Sequence, residues 1–431
     1  MKRVVFKLSV VVFVLSLVIC SVSSQSYATN GDNLIGVGSG SREMGGTGIA
    51  SPQDAVGGIY SNPAAVGDCG KVTIDLMTTL FMPTVSNKVT FGNYSYSADS
   101  ASKVYVIPSA AFTIPVSTQL KIGLAAYGVS GLGVDYKGTT VDNAKYFDFS
   151  SYYGYPPGSI VYPLQSGTYT NISTMQIAPF IRYKFDDQFS VGVAARVNYS
   201  ILDLGSGKVD DYGFGGKIGI LYKPVDTVSL GLTYSTPISI KYKSVTDLDG
   251  DRVNDDLKLE QPQEVGFGIS VEPVKNKVLL EADLKWVNWA GAAGYKDFDW
   301  DNQLVIGVGV QYKPVKELAL RAGYNYGKNP VKSHNNFDGR SSSMTTIQGK
   351  TMPTYYYEAF RITGFPALVE HHLTGGIQYT INEKVALNLG YMHAFKNTMK
   401  ETGSDMTGYY TSSFESSLTE DSVELGITIK F

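Results

Sequence analysis

Cysteine is nearly absent from this chain of 431 residues, with only Cys20 and Cys69 present, so no disulfide framework can hold it. Long apolar runs are scarce too. The only one, Leu8–Ile19, is shorter than the roughly 20 residues that a spanning helix needs. An excess of basic charge is also missing. The 36 Lys and Arg face 39 Asp and Glu, for a net charge of −3, which leaves no footprint for nucleic acid. Histidine occurs four times. His371 and His372 are neighbours and point to opposite faces of a strand, while His371 and His393 share a face, which reads as placement in an interfacial belt and not as a metal centre. Nothing selects a nucleophilic serine with its base, so no enzyme is expected. Nucleotide loops fail on spacing, because Glu43 stands where Gly38 and Gly40 require a third glycine, and Met344 where Gly349-Lys350-Thr351 requires a first.

Lys2, Arg3 and Lys7, the apolar stretch and the closing Ser26-Tyr27-Ala28 form the three parts of a secretory signal, predicted over residues 1–28. Ile19 before Cys20 argues against lipoprotein processing. What is abundant is glycine, at 46 residues, and tyrosine, at 30, a composition suited to strand-rich membrane barrels with aromatic girdles. From Lys71 onward the pattern has period two. "QFSVGVAARVNYSIL" sets Phe189, Val191, Val193 and Val197 against Gly192, Ala194, Arg196 and Asn198, and "SVELGITIKF" alternates in the same way to Phe431. Fourteen such segments follow, at 72–82, 103–114, 119–130, 171–185, 188–202, 209–223, 227–243, 263–272, 276–289, 302–313, 317–327, 371–381, 385–396 and 421–431. Short links alternate strictly with longer ones, of which 131–170, 328–370 and 397–420 are the largest. That order predicts an all-β, 14-stranded antiparallel transmembrane barrel in the bacterial outer membrane, with tight turns and both termini on the periplasmic side.

Between signal and barrel lies "GVGSGSREMGGTGIASPQDAVGGIYSNPAAV", Gly36 to Val66, made almost wholly of small residues. Too short to build its own core, this stretch is predicted to fold inside the barrel, where small residues suit a crowded lumen. The organisation expected is signal 1–28, plug 29–70 and barrel 71–431. Here the sequence resembles the FadL family of outer-membrane transporters of hydrophobic compounds. The plug stretch leads to Asn62-Pro63-Ala64, and the likeness continues at "VIPSAAFTIPVSTQLKIGLAAYGVSGLGVDY", "LEADLKWVNWAGAAGY", "RAGYNYGKNPV" and "HHLTGGIQYTINEKVALNLGYMHAF".

That resemblance implies passive uptake of hydrophobic molecules, long-chain fatty acids first, with aromatic hydrocarbons as the alternative. It implies capture among the loops, for which Tyr152, Tyr153, Phe360, Phe365 and Leu368 are the apolar candidates. Next come a pocket against the plug, with Arg42, Asn62, Pro63 and Ala64 as its gating residues, and exit through the wall beside an inward kink in the third strand. Pro108, Gly123 and Gly128 are the candidates for that opening. A carboxylate substrate needs a cation in the lumen, and Arg196, Lys217, Lys285 and Arg321 have the inward parity. A FadL-like barrel serving protein secretion as a non-transporting adaptor is the other class of function. No cofactor is expected apart from calcium at 247–256. There Asp247, Asp249, Asp251 and Asp255 fall at calcium-loop positions one, three, five and nine, although Arg252 and Lys258 depart from the pattern. A bound ion that orders the loop and a merely solvated acidic loop both stay open. The expected partners are hydrophobic small molecules, outer-membrane lipid and lipopolysaccharide, and the barrel-assembly machinery, with no nucleic acid and a monomeric state.

Overall fold

The computed structural model describes residues 30–67, 70–143, 147–148, 150, 156–157, 161–162 and 167–431. The predicted signal, Cys69 and the loop residues Tyr152 and Tyr153 lie outside the described residues. No described helix is long and apolar enough to cross a membrane.

Fourteen antiparallel strands close into a barrel. In chain order they are β1 (Thr73–Phe91), β2 (Tyr105–Pro115), β3 (Leu120–Asp135), β4 (Tyr169–Lys184), β5 (Phe189–Asp203), β6 (Val209–Val225), β7 (Val228–Ser235), β8 (Glu264–Val274), β9 (Val278–Val287), β10 (Gln303–Val315), β11 (Leu318–Gly327), β12 (His371–Asn382), β13 (Val385–Ser404) and β14 (Thr411–Lys430). Each pairs with its chain neighbours, and β1 pairs with β14 from Thr73↔Lys430 to Phe91↔Ser412 to seal the cylinder. A further strand, Tyr94–Asp99, pairs only with the top of β1.

The alternation places chemistry on two faces. Val193, Phe214, Leu232, Ile306 and Leu389 are exposed on the outside, where lipid is the solvent. Inward residues such as Asn198, Asp283 and Arg321 are buried. Outward aromatics form two belts, Tyr183, Phe189, Tyr222, Tyr312 and Tyr379 near the tight turns and Tyr212, Tyr234, Trp286, Tyr324 and Tyr391 near the loops, all exposed. Amphipathic rings favour the two water–lipid boundaries, so the belts mark the membrane zone.

Three strands run furthest past their predicted extents. β1, β13 and β14 run on to Phe91, Ser404 and back to Thr411, so most of the expected 397–420 loop is strand. "MKETGS" and "TSSFESSLTE" carry no apolar outer face because they stand above the lipid, and period two vanishes from the sequence there. The predicted 227–243 strand breaks after Ser235. Beyond Pro237, Ile238–Thr246 pairs with Asp255–Gln261 as a separate hairpin that folds inward, with Ile238 and Ile240 on Gly213 and Gly215 of β6.

Candidate functional site

Residues 30–66 occupy the lumen. The segment forms α1 (Ser39–Glu43), α2 (Ala55–Ser61) and a 3-10 turn at Pro63–Ala65. Asp54 caps α2 by accepting from the Gly57 amide at 2.6 Å, and Asn62 starts the 3-10 turn by accepting from the Ala64 amide at 2.9 Å. A plug with few large side chains leaves its backbone bare, and buried backbone groups need partners. The wall supplies them as charges. Asp283 of β9 accepts from the Gly48 and Ile49 amides at 2.9 and 3.0 Å. Glu281 accepts from the Ala50 and Ser51 amides at 2.9 and 2.8 Å, and Asp75 of β1 from the Ala55 amide at 2.7 Å. Cations take the carbonyls: Lys217 donates to Tyr60 at 2.5 Å, Lys285 to Ile35 at 3.3 Å and Arg182 to Val66 at 2.9 Å.

Two buried ion pairs complete the anchorage. Arg42 pairs with Glu424 and donates to Ser422 at 2.9 Å. Glu43 meets Arg321 at 2.7 Å, and Arg321 also reaches Gln311, Gln378 and Asn388. Of the predicted carboxylate-binding cations, Lys217, Lys285 and Arg321 therefore hold the plug. Arg196 bonds Gln176 and the Thr236 carbonyl and so fixes the hairpin that folds inward. Asn62 donates to the carbonyls of Ile49 and of Ile220 in β6, at 2.8 and 3.0 Å. Close approach explains the glycines of the wall. A methyl group at Gly231 would overlap the Ile49 carbonyl, and one at Gly192 would overlap Pro63.

Above the plug lies a narrow apolar cavity. Leu132 of β3 and Ile172 of β4 form its wall, Asp32 its floor, and Phe360 and Phe365 its roof. The remaining side comes from the link between β9 and β10, where Trp289, Tyr295 and Trp300 pack with ring centroids 4.6–5.2 Å apart and Phe298 meets Phe360 at 5.4 Å. Phe360 and Phe365 were legible as apolar loop residues; Leu368 is buried but does not line the cavity. The aromatic link at 289–300 was missed because its rings follow no period, and the clustering of Trp289, Tyr295, Phe298 and Trp300 was the available signal.

Both charged groups at the cavity are already partnered. Arg361 donates to Glu358 at 2.7 Å, to Glu401 at 3.1 Å and to the carbonyls of Phe298 and Lys332 at 2.9 and 2.6 Å. Asp32 accepts from the Tyr295 and Ser130 hydroxyls. His334 ties the roof to the aromatic link, with Nδ1 2.9 Å from Glu358 of α3 (Thr354–Thr363) and Nε2 2.8 Å from Asp299. The hydrogen bond to Glu358 raises its pKa above the ordinary 6.5, against the opposing burial and the nearby Arg361.

Beside the cavity the wall is interrupted. Pairing of β2 with β3 stops at Ser109↔Tyr127, although β2 begins at Tyr105 and β3 continues to Asp135. Pairing resumes only at the rim, where the Ala101 amide meets the Asp135 carbonyl at 2.7 Å. Pro108, which has no N–H to donate, and Gly128 flank this window, while Gly123 sits below it, paired with Thr113. Residues Ala125–Val134 are buried on both faces, because β3 bends into the lumen after a register shift between Gly128 and Ser130. The free edge of β3 is covered by the start of the plug. Leu34 donates to the Val129 carbonyl at 3.3 Å and Gly131 to the Asp32 carbonyl at 3.4 Å, around an antiparallel bridge Asn33↔Ser130.

In the 247–256 loop Asp247, Asp249 and Asp255 converge to within 4.8 Å, without Asp251. The Lys350 ammonium lies between two of them, 3.0 Å from Asp249 and 2.6 Å from Asp255. Gln348, beside it, exchanges hydrogen bonds with the backbone of Lys258 at 2.8 and 2.9 Å. His371 leans toward Tyr324 and His393 toward Asp421, so the two imidazoles turn away from one another.

A closed fourteen-stranded barrel with two aromatic belts and a charged, plugged lumen is the architecture of an outer-membrane β-barrel protein. Residues 200–337 match the family described as outer membrane protein transport protein (OMPP1/FadL/TodX), a family of transport proteins and not of enzymes. A comparison with curated proteins gives no match. Among solved structures, the chain is similar to the toluene transporter TodX of P. putida, at 16% identity and a TM-score of 0.63 over 92% of this chain and 99% of that one. It is also similar to a FadL homologue of Pseudomonas aeruginosa, at 14% and 0.66 over 93% and 100%. The toluene transporter TbuX of Ralstonia pickettii gives 16% and 0.59 over 92% and 98%. At these identities the likeness is one of fold. The resemblance read from the motifs is thus met in sequence over one stretch and in fold over nearly the whole chain.

Proposed function

We propose that the protein carries uncharged hydrophobic compounds passively across the outer membrane, with its loops outside and its tight turns in the periplasm. The solute enters among the loops and rests in the aromatic cavity. It leaves sideways through the window between β2 and β3 once residues 30–34 release the edge of β3. One observation carries this reading: the cavity is apolar, its charged groups Arg361 and Asp32 are spent on protein partners, and it abuts the window through Asp32 and Leu132.

A carboxylate placed in this cavity would have to displace Glu358 or Glu401 from Arg361 or stay unpaired in an apolar site, and either is costly. An aromatic ring or a neutral acyl chain meets no such penalty. Binding of toluene, a long-chain fatty acid and its methyl ester to the purified protein tests the reading. The ester is expected to bind at least as tightly as the acid, and both ester and toluene to lose affinity when Phe360 is changed to Asp. Tight binding of the acid with none of the ester overturns it.

A further inference from the structure

At the turn end, beneath the plug, lies a second cleft, open and polar, which the transport reading does not use. Its ceiling is Pro52–Ala55 with Val66 and Gly67, and its walls come from β1, β2, β3, β10, β12 and β14. The acids at this cleft have their oxygens engaged. Asp54 accepts from the Gly40 and Gly57 amides at 2.8 and 2.6 Å. Asp75 accepts from the Ala55 amide at 2.7 Å and the Thr428 hydroxyl at 2.6 Å. The amide oxygen of Gln378 accepts from Arg321 at 2.9 Å, which leaves its NH2 for the cleft.

What remains for a visitor is a set of donors. Lys313 and Lys430 have inward parity on β10 and β14, and their ammonium groups have no hydrogen bond or ion pair among the described residues. The hydroxyl of Thr113, fully buried at the cleft wall, also has no partner. Lys121, at the same cleft, is spent on the Gly67 carbonyl. A hollow with two unpaired ammoniums and its carboxylates turned to the plug favours a ligand that brings negative charge and acceptor oxygens.

We infer that this cleft is an oxyanion site, held by Lys313 and Lys430 with Thr113 and Gln378 beside them, for a carboxylate or a phosphate arriving from the periplasm. Both chemistries present several acceptor oxygens to the same donors. An anion here lies on the far side of the plug from the aromatic cavity, so the two sites are independent of one another.

Calorimetric titration of the full chain in neutral detergent tests the assignment, with inorganic phosphate, octanoate and octanol as probes. Saturable binding of phosphate, octanoate or both is expected, and whichever binds identifies the source. The double variant Lys313→Gln/Lys430→Gln should weaken it roughly tenfold to hundredfold, the loss of two charge-assisted contacts. The same variant should bind toluene as the unaltered protein does. Lysine acetylation followed by mass spectrometry, on the unaltered chain, should show Lys313 and Lys430 protected by the bound anion. The inference is overturned if no anion binds saturably, if the double variant binds as well as the unaltered chain, if octanol binds as well as octanoate, or if neither lysine is protected.

Discussion

Arg321 and Glu43 are both buried and meet at 2.7 Å inside the barrel, where neither charge has water to fall back on. Arg321→Met strands the Glu43 carboxylate, and breaking a buried pair from one side costs about 3–5 kcal/mol. The expected result is a loosened plug. A cysteine placed at Ser51, in a chain with Cys69 changed to serine, should then label faster with a water-soluble maleimide, and ion conductance across planar bilayers should rise. Gly231→Leu acts on the same lock from the other side, since any side chain there collides with the Ile49 carbonyl. It should raise the labelling rate without touching a charge. Parity had already placed Arg196, Lys217, Lys285 and Arg321 on the inner face. What Lys285, Lys217 and Arg196 grip was not legible, because their partners include backbone atoms of residues 35, 60 and 236, and backbone leaves no trace in composition. Arg182 escaped notice for the same reason, although its parity was equally readable.

At the scale of elements, α3 is the roof of the aromatic cavity, and His334 is the tie between that roof and the aromatic link. Because its pKa in the folded protein is raised above 6.5, its contribution is fully present below the unfolded value and is lost as pH climbs through the folded one. The protection of residues 354–363 against hydrogen exchange, taken relative to the base-catalysed intrinsic rate, should therefore fall as pH rises from 6 toward 9, and His334→Gln should remove most of that dependence. A roof indifferent to pH in the unaltered chain contradicts this role. The second clasp, Lys350 between Asp249 and Asp255, is exposed, so Lys350→Ala should cost little global stability and appear as faster proteolysis of the 344–353 hairpin with the barrel intact. Strands inside the membrane zone were legible because lipid on one side and lumen on the other impose period two. The same chain above the lipid, as in β13 beyond Ala394, keeps its strand geometry without the pattern. The break at Pro237 was written in the sequence, yet Ile238, Ile240 and Tyr242 continued the alternation because the inner hairpin also has one buried face.

For the whole molecule, the window and the start of the plug are two halves of one device. Cysteines at Asn33 and Ser130, again with Cys69 changed to serine, should form a disulfide across the bridge. Oxidation should then block solute uptake in proteoliposomes, and reduction should restore it. A disulfide between Phe91 and Ser412, at the loop end of the paired β1–β14 seam, should leave uptake unchanged. Unimpaired uptake with the 33–130 bond formed would mean that the solute leaves by another route.

The anchors of the plug are spread along almost the entire chain, from Asp75 in the first strand through Arg182, Lys217, Asp283 and Arg321 to Glu424 in the last. During biogenesis, residues 30–66 are made first and find their final set of partners only when β14 arrives to close against β1. A half-built sheet holds the plug by a few contacts and keeps bare charges that water must cover. Insertion of the plug and closure of the wall are thereby coupled into one late, cooperative step, and a fault in either should leave the other unfinished.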